Sequence, residues 1–376
     1  MDNQEAKQYF SIELLEWYRK QKRDLPWRRS RDPYHIWVSE VMLQQTRVET
    51  VKPYFERFVT LFPTVEALAE APEDVVLKAW EGLGYYSRAR NLQAAAREVA
   101  EKYGGKVPDS KEQFSSLKGV GPYTAGAVMS IAFNQREPAV DGNVMRVLSR
   151  YFCIEEDVAK GGTRALMERL QYELIPDGEA SDFNQAIMEL GALVCTPKSP
   201  HCLVCPVMAK CAGRLEGKEE ALPIKTKAKP PRPEYRACAL VVSGDGRRVL
   251  LRRRPAQGLL AGMWELPHVE FAAAGWSPAM PDAAVGDALA GWLAGELSGS
   301  RVAVAPAGPA GEAEHTFSHI HWNLRLHRLA IAPDDAALPD GYRWVDRDGM
   351  ALHPLPNVFV RLLRAEGFID DARAGA

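Results

Sequence analysis

The chain has 376 residues, 46% of them hydrophobic, which is enough for about two or three domains with buried cores. Its formal net charge is −2, so the charge balance gives no support for a generally basic, nucleic-acid-binding surface. The polar start MDNQEAKQYF and the lack of an apolar run of about 18 residues argue against an export signal and a membrane span.

Residues 1 to about 215 are predicted to form an all-helical region. Apolar residues recur at helical spacing in segments such as TVEALAEAPEDVVLKAW and NLQAAAREVAEKYGG. Turn signals such as FPT, GLG and KGVGP separate these segments. We therefore expect a domain that is built from short helices.

The first candidate for chemistry is a glutamate in the segment SEVMLQQT, residues 39–46. Trp37, Val41 and Val48 mark an apolar helix face, and Glu40 is expected at its border. A carboxylate against apolar groups has a raised pKa and can act as an acid near neutral pH. The alternative is a solvated glutamate on the helix surface, which describes most helical glutamates.

Two glycine-containing turns come next, GLGYYSR at residues 82–88 and LKGVGPY at residues 117–123. In the second, Gly119 and Gly121 allow the backbone to turn tightly and to approach a phosphate. The N–H groups at the start of the following helix, expected from Tyr123 to Phe133, could then bind that phosphate. Ordinary turns between helices would also explain both patterns.

Asp141, in the segment VDGNV, is expected to cap the helix that contains Val144. Four cysteines then cluster in the spacing Cys195-x6-Cys202-x2-Cys205-x5-Cys211, in a proline-rich loop. Without an export signal, such a cluster predicts a metal site rather than disulfides. Four thiolates can hold tetrahedral zinc or an iron–sulfur cluster, and composition alone does not choose between them.

The composition changes after the cysteines. Residues 216–234, EGKEEALPIKTKAKPPRPE, are charged and proline-rich, which predicts an extended linker. ACALVVSGDGRRVLLRRRP then predicts two strands joined by a Gly-Asp-Gly turn, and further strands and a helix-like segment, DALAGWLAGEL, follow. We expect a mixed α/β domain over residues 235–370, in which TFSHIHWNLRLHRL forms a pair of strands.

These motifs, in this order, resemble those of the MutY-type adenine DNA glycosylases, members of the helix–hairpin–helix superfamily of endonuclease III. SEVMLQQT resembles the catalytic helix, LKGVGPY the helix–hairpin–helix motif, the cysteine spacing the [4Fe–4S] loop, and LLAGMWELP a Nudix-like domain. The implied fold is multidomain. An all-α glycosylase domain (1–215) with an iron–sulfur loop (195–211) precedes a linker (216–234) and an α/β Nudix-like 8-oxoguanine recognition domain (235–370).

The resemblance implies removal of adenine mispaired with 8-oxoguanine or guanine in double-stranded DNA. The adenine would be flipped out of the base stack before it reacts. Glu40 would protonate N7 of the adenine, and Asp141, as an anion, would stabilise the oxocarbenium-like sugar. Asn143 and Tyr123 would orient these groups, in parallel with the acid and the anion of glycoside hydrolysis.

The resemblance also assigns residues that contact DNA or metal. Arg23, Trp27 and Gln185 would lie near the flipped adenine, and Gln45, Leu83 and Tyr85 would fill the gap or wedge the duplex. Gly119 and Gly121 would approach a phosphate, whereas Phe317, Ser318 and His319 would inspect 8-oxoguanine. The [4Fe–4S] cluster would be held by Cys195, Cys202, Cys205 and Cys211. We expect a monomeric, cytoplasmic, nucleoid-associated bacterial protein that binds no membrane.

Two departures from related families bear on the reaction. In the bifunctional glycosylases a lysine at the position of Tyr123 attacks the sugar, so its absence implies a monofunctional enzyme. A Nudix hydrolase needs a run of glutamates for magnesium, whereas DALAGWLAGEL offers only Asp287 and Glu296, which argues against pyrophosphate hydrolysis. A bifunctional glycosylase/lyase and a non-catalytic lesion-binding protein stay open as alternatives.

Overall fold

The structure, a computed structural model, describes residues 3–227, 229–300, 302–334 and 336–370. These residues pack as two compact units. Unit 1 lies within residues 1–71 and 90–227, and unit 2 lies within residues 72–89 and 228–376. Among the described residues, every helix is too short or too polar to cross a membrane.

The region up to position 215 is helical, as predicted. Its helices are α1 (Asn3–Gln21), α2 (Pro33–Leu43), α3 (Val48–Leu61), α4 (Val65–Glu70), α5 (Glu73–Ala79), α6 (Ser87–Tyr103), α7 (Lys111–Ser115), α8 (Pro122–Ile131), α9 (Gly142–Tyr151), α10 (Gly161–Leu174), α11 (Ala180–Leu193) and α12 (Ala212–Leu215). Single 3-10 turns lie at Pro26–Arg28, Cys202–Val204 and Met208–Lys210.

Local sequence explains where several helices begin and end. Asp32, Thr64 and Asp141 each accept a hydrogen bond from a backbone N–H in the first turn of the helix that follows. The segment TVEALAEAPEDVVLKAW forms two helices, α4 and α5, because Pro72 has no amide hydrogen to continue the first one. Val48 begins α3, so the prediction that it shares the apolar face of α2 is wrong.

One apolar core of unit 1 forms where α1, α9, α10 and α11 meet. Its buried residues include Phe10, Leu148, Phe183 and Ile187. Three of the clustered cysteines, Cys195, Cys205 and Cys211, are partly buried against this core. The cysteine loop is therefore anchored on the same helices that position Asp141.

Unit 2 contains the mixed α/β region predicted after the linker. Its strands are β1 (Arg232–Val241), β2 (Arg248–Arg253), β3 (Trp264–Glu265), β4 (His268–Glu270), β5 (Ala303–Thr316), β6 (Ile320–Ala332) and β7 (Tyr342–Asp346), with α13 (Asp282–Glu296), a 3-10 turn at Gly349–Leu352 and α14 (Asn357–Ala365). One sheet has the order β4-β1-β6-β5, the other β3-β2-β7, and β1 pairs with β6 in parallel.

The sheet that contains β1 is covered on both faces, which explains the unbroken apolar run in its sequence. Cys238 and Leu240 pack in the core that includes Phe359 of α14. Ala237, Ala239 and Val241 instead pack with residues of α13. Alternate residues of a strand point to opposite faces, so a strand between two layers is apolar throughout.

Candidate active site

Unit 1 contains a cavity of about 700 Å³. Its wall is formed by the 3-10 turn at Pro26–Arg28, the end of α2, the turn before α8, the start of α9 and one face of α11. Ten residues that the sequence singled out line it: Arg23, Trp27, Glu40, Gln45, Gly119, Gly121, Tyr123, Asp141, Asn143 and Gln185. The fold thus brings together residues that are up to 162 positions apart in the chain.

Glu40 is buried in the wall of this cavity and is only 5% exposed. Its Oε2 accepts a hydrogen bond of 2.5 Å from the Tyr123 hydroxyl. Burial raises the pKa of Glu40 to about 7; the Tyr123 hydrogen bond lowers it, the nearby Asp141 raises it and Arg28 lowers it. The group therefore carries a transferable proton near neutral pH, and it is not the solvated surface glutamate of the alternative interpretation.

The turn before α8 places Tyr123 against Glu40. Gly119 adopts a φ of 78°, which an L side chain rarely adopts, and Gly121 is the N-cap of α8. Burial raises the pKa of Tyr123 well above its usual value, and the neighbouring Glu40 and Asp141 charges add to that effect. Tyr123 is therefore a neutral hydroxyl that donates to Glu40.

α8 itself lies close to its neighbours because its residues are small. A Cβ added at Gly126 would lie 1.9 Å from the backbone oxygen of Pro138, so only glycine fits at this crossing. This approach brings the segment that leads to Asp141 next to the helix that carries Tyr123.

Asp141 combines two properties: it caps α9, as expected, and it lines the cavity. Oδ1 accepts a hydrogen bond of 2.7 Å from the Val144 amide, and Oδ2 accepts one of 2.7 Å from the Asn143 side chain. Burial raises the pKa of Asp141, and these hydrogen bonds oppose the increase. Asn143 is held in turn by Arg146, whose Nη2 donates to its Oδ1 over 2.9 Å.

The cavity therefore contains two carboxyl groups in different surroundings. Glu40 accepts from one hydroxyl, whereas Asp141 accepts from a backbone amide and a side-chain amide. When two carboxyl groups share a site, the one with fewer donors holds the proton and the other is the anion. This is the arrangement of one acid and one anion that glycoside hydrolysis uses.

Sequence reasoning missed Glu189 and assigned no role to Arg28. Glu189 lies four positions after Gln185 on α11, hence on the same helix face, which is the only signal that could have revealed it. Its carboxylate binds both Arg23 and Arg28 in the cavity wall. Arg23 is thus bound to Glu189, at the edge of the space proposed for a flipped base.

The remaining predicted DNA contacts lie in unit 2. Leu83 is buried, and Tyr85 is 47% exposed with a φ of 48°. Phe317 packs against Trp322 in the turn between β5 and β6, and Ser318 and His319 are exposed at its tip. The Ser318 hydroxyl donates to the Tyr85 hydroxyl over 3.4 Å, so these two predicted contacts are neighbours.

Tyr85 approaches this turn because the segment 72–89 packs within unit 2. Lys78 Nζ donates to the backbone oxygen of Met350 over 2.9 Å, and Glu81 accepts from the Leu355 amide over 2.8 Å. Tyr85 and Gln45, two proposed wedge residues, both adopt left-handed backbone conformations. Such conformations are costly for side chains other than glycine and often mark functional positions.

The four cysteines of the loop face a common region beside Arg150. Arg150 Nη1 donates to Cys195 Sγ over 3.3 Å, and Cys211 Sγ donates to the Arg150 backbone oxygen over 3.4 Å. Burial raises the pKa of Cys205 to about 12 and that of Cys211 to about 11. Thiols with such pKa values are protonated at neutral pH unless a metal centre takes them as thiolates.

Among the described residues, Cys153, Glu155 and Glu216 form a group of ligand atoms within 4.8 Å of one another, and this group lies outside the loop. The four thiols of the loop are a ligand set that tetrahedral zinc or an iron–sulfur cluster can use.

Comparison with protein families identifies the class. The model of the HhH-GPD superfamily of base excision DNA repair proteins matches residues 38–172, and that of the NUDIX domain matches residues 237–365. The first match contains Glu40, Tyr123 and Asp141. Fold and site together define a DNA glycosylase, a hydrolase of N-glycosyl bonds, with a Nudix-like C-terminal region.

Individual relatives narrow this class. The adenine DNA glycosylase of Homo sapiens is 38% identical, and the match covers 90% of this chain and 70% of the human protein. That of Schizosaccharomyces pombe is 35% identical, and the match covers 91% of this chain and 86% of the yeast protein. The chain therefore belongs to the adenine DNA glycosylase family.

Solved structures agree on the fold of the helical region. A thermostable thymine-DNA glycosylase is 30% identical with a TM-score of 0.53, covering 57% of this chain and 100% of that one. A trapped endonuclease III–DNA covalent intermediate is 24% identical with a TM-score of 0.50, covering 58% and 99%. The second likeness supports the fold alone.

Proposed function

We propose that this chain excises adenine mispaired with 8-oxoguanine or guanine by hydrolysing the N-glycosidic bond, and that it leaves the DNA backbone intact. The observation that carries the proposal is the buried Glu40, which holds a proton near neutral pH in the same cavity as Asp141. The relatives named adenine DNA glycosylase support adenine as the base that is removed.

The first step is proton transfer to the base. A flipped adenine that enters the cavity places N7 within reach of Glu40, and protonation makes the base a better leaving group. The glycosidic electron pair then leaves with the adenine, and the sugar becomes an oxocarbenium-like cation. The Tyr123 hydroxyl donates to the carboxylate that Glu40 becomes, which limits the cost of creating that buried charge.

The second step is stabilisation of the sugar cation. Asp141 is the acceptor of hydrogen bonds from the Val144 amide and from Asn143, so its anion is held in one orientation. A fixed anion in a buried site stabilises a developing positive charge more than water does. Water then adds to the sugar, and its proton leaves with a carboxylate or solvent.

The lyase alternative needs an amine that can reach the sugar. Position 123 is a tyrosine, and its hydroxyl is bound to Glu40. Lys111 is the lysine that lines the cavity, and its Nζ pairs with Oε2 of Glu137 over 2.5 Å. These features favour attack by water over attack by an amine.

The turn at residues 317–319 is the proposed reader of the opposite base. Phe317 anchors the turn on Trp322, so the exposed Ser318 and His319 keep a defined position. 8-Oxoguanine differs from guanine by an oxygen at C8 and a proton on N7, and both can bond to such side chains. The hydroxyl of Ser318 also meets that of Tyr85, the proposed wedge, which would place both groups on the same base pair.

The other assignments complete the proposal. By sequence, we assign residues 1–215 to the glycosylase domain, 216–234 to the linker and 235–370 to the recognition domain, although residues 72–89 pack within unit 2. Cys195, Cys202, Cys205 and Cys211 would hold a [4Fe–4S] cluster that supports the loop. The monomeric state and the cytoplasmic, nucleoid-associated location stay predictions.

One experiment tests the function. Duplexes with A opposite 8-oxoguanine, G or T are treated with excess enzyme, and strand cleavage is measured with and without hot alkali. We expect excision from the first two duplexes and strand cleavage only after alkali. Two results together would identify a lyase that uses another amine. The strand would be cleaved without alkali, and borohydride would trap a covalent adduct in the Lys111→Ala variant as well as in the parent. If the parent excises no adenine, the lesion-binding alternative is left.

A further inference from the structure

Glu189 is a buried carboxylate that binds two arginines at once. Its side chain is 1% exposed. It accepts five hydrogen bonds: from the backbone amide, Nε and Nη2 of Arg23, and from Nη1 and Nη2 of Arg28, over 2.7–3.1 Å. Both guanidinium groups are therefore bidentate on one acid, a geometry that fixes their planes as well as their positions.

We propose that Glu189 is a positioning residue of the catalytic site: it holds Arg23 and Arg28 in the cavity wall and sets the positive charge that faces Glu40. This inference rests on the proposed function, because Glu40 is its proton donor. Glu189 itself touches the two arginines and needs no contact with the substrate.

The charge balance of the cavity supports this role. One carboxylate between two guanidinium groups leaves a net charge of +1 on the cluster, next to the cavity that Glu40 and Asp141 share. Burial raises the pKa of Glu189, but the hydrogen bonds from Arg23 and Arg28 outweigh it and lower the pKa to about 2. The acid is thus ionised at every pH at which the enzyme works.

The groups that face Glu40 come from each neighbouring element. Tyr123 comes from α8, Asp141 from the N-cap of α9, and Arg28 from the 3-10 turn, where its charge favours the ionised form of Glu40. α3 also packs against α2, but its Glu49 and Lys52 bind one another at 2.9 Å on the surface. Arg28 is therefore the cation through which Glu189 acts on the proton donor.

Two variants should shift the pKa of Glu40 in opposite directions. In Glu189→Gln the negative charge is lost, so the arginines are less neutralised, Glu40 ionises more readily and its proton is lost at lower pH. In Arg28→Gln a positive charge is lost, so Glu40 keeps its proton to higher pH. A neighbouring charge shifts the pKa of a carboxyl group by about one unit or more at close range, and we expect each variant to move the limb by roughly half a pH unit.

The test is the pH profile of single-turnover adenine excision in the full chain. The Glu189→Gln variant should move the alkaline limb to lower pH, Arg28→Gln should move it to higher pH, and Glu189→Asp should keep the parental limb at a reduced rate. Glu179→Gln is the matched control, because Glu179 borders the same helix and pairs with the exposed Arg19 over 2.6 Å. A rate reduced equally at every pH in Glu189→Gln, or shifts of the same sign in both variants, would overturn the proposal.

A second measurement needs no catalysis. The side-chain carboxyl of Glu40 is followed by carbon-13 NMR, assigned with Glu40→Gln, and titrated in the parent and in Arg28→Gln. The titration midpoint should rise in the variant, and an unchanged midpoint contradicts the proposal even where Glu189→Gln does not fold. If the parent excises no adenine, the proposed function fails while this titration still decides the role of the cluster.

Discussion

Two acidic residues of the cavity acquire different chemistry from their immediate partners. Glu40 lies on a helix whose other buried residues are almost all apolar, and its carboxyl group accepts a hydrogen bond from the Tyr123 hydroxyl. Asp141 sits at the start of α9, where the free backbone amides of the first turn stabilise a negative charge. Position relative to a helix therefore gives the two carboxyl groups different surroundings, as the proposed roles of acid and anion require.

Replacement of Glu40 tests the acid. The Glu40→Gln variant keeps the shape of the side chain and accepts from Tyr123, but an amide does not donate a proton to a leaving base. We expect binding to an A:8-oxoguanine duplex to persist and excision to fall by about 10²-fold or more. Single-turnover rates beside binding isotherms check this, and a rate within tenfold of the parent would exclude Glu40 as the acid.

The pH dependence of excision follows from the same group. Glu40 is active as the protonated acid, so the rate should fall as the pH rises through about 7. Asp141 is active as the anion, and its pKa is raised by burial, so the rate should also fall on the acidic side. A bell-shaped profile under saturating enzyme is the expected result, with apparent pKa values that belong to the pair. A profile that is flat through neutrality would contradict this assignment.

At the scale of elements, the cysteine loop depends on α9 for its position. Arg150 binds Cys195 and the backbone oxygens of Thr196 and Pro197, so the loop is held at its first cysteine and at the two residues that follow it. Gly213 completes this contact, because a Cβ there would lie 2.5 Å from the Arg150 oxygen. Contacts with α9 thus fix the position of the loop that contains the four thiols.

Metal content tests this loop. Protein purified without oxygen should be yellow-brown and contain about four irons per chain. The Cys202→Ala variant should lose most of the iron, whereas Cys153→Ala, a cysteine outside the loop that binds Glu216, should retain it. Metal analysis beside the visible spectrum checks both variants. Stoichiometric zinc in place of iron would show that the cluster assignment is wrong.

The β5–β6 turn makes a separate prediction. Loss of both exposed polar groups in Ser318→Ala/His319→Ala should reduce the preference for A:8-oxoguanine over A:G, because each base-specific hydrogen-bonded contact discriminates by about 1–3 kcal/mol. Cleavage of A:G should change little. Both duplexes are compared at one salt concentration, since phosphate contacts make affinity salt-dependent. Ser298→Ala is the surface control. If the double variant loses activity equally on both duplexes, the turn contacts only the DNA backbone and does not read the base.

At the scale of the whole molecule, packing does not follow chain order. Residues 72–89 lie between helices of unit 1 in the sequence, yet they pack within unit 2. Val76, Leu77 and Trp80 are fully buried there, and Lys78 and Glu81 bond to the segment at residues 350–355. The compact units therefore differ from a division of the chain at the linker.

Truncation near Gly217 tests this organisation. All residues that line the cavity precede that position, so excision of adenine from A:G should persist. Residues 72–89 would lose their packing partners, and we expect a melting temperature lower by roughly 5 °C or more. Thermal unfolding and single-turnover cleavage of the full and truncated chains are the measurements. An unchanged melting temperature would mean that this segment needs no partner from unit 2.

Much of the fold followed from short-range patterns. The helical region, the N-cap at Asp141 and the strand pair around residues 317–319 were predicted because caps, turns and periodicity depend on neighbours in the chain. The prediction that places Val48 on α2 is wrong, because apolar spacing continues across the turn after Leu43, in which Gln45 has a left-handed backbone. A single non-glycine residue in that conformation leaves no clear signal in the sequence.

What the sequence by itself determined is the inventory of chemical groups and their family order: an acid in SEVMLQQT, a second carboxylate in VDGNV, a tyrosine instead of a lysine at position 123, and four spaced thiols. Only the tertiary structure decided their electrostatics. The burial of Glu40, its bond to Tyr123 from 83 positions away and the pairing of Glu189 with Arg23 and Arg28 arise from contacts between distant segments. A pKa depends on solvent exclusion and on charges nearby in space, and neither is set by neighbours along the chain.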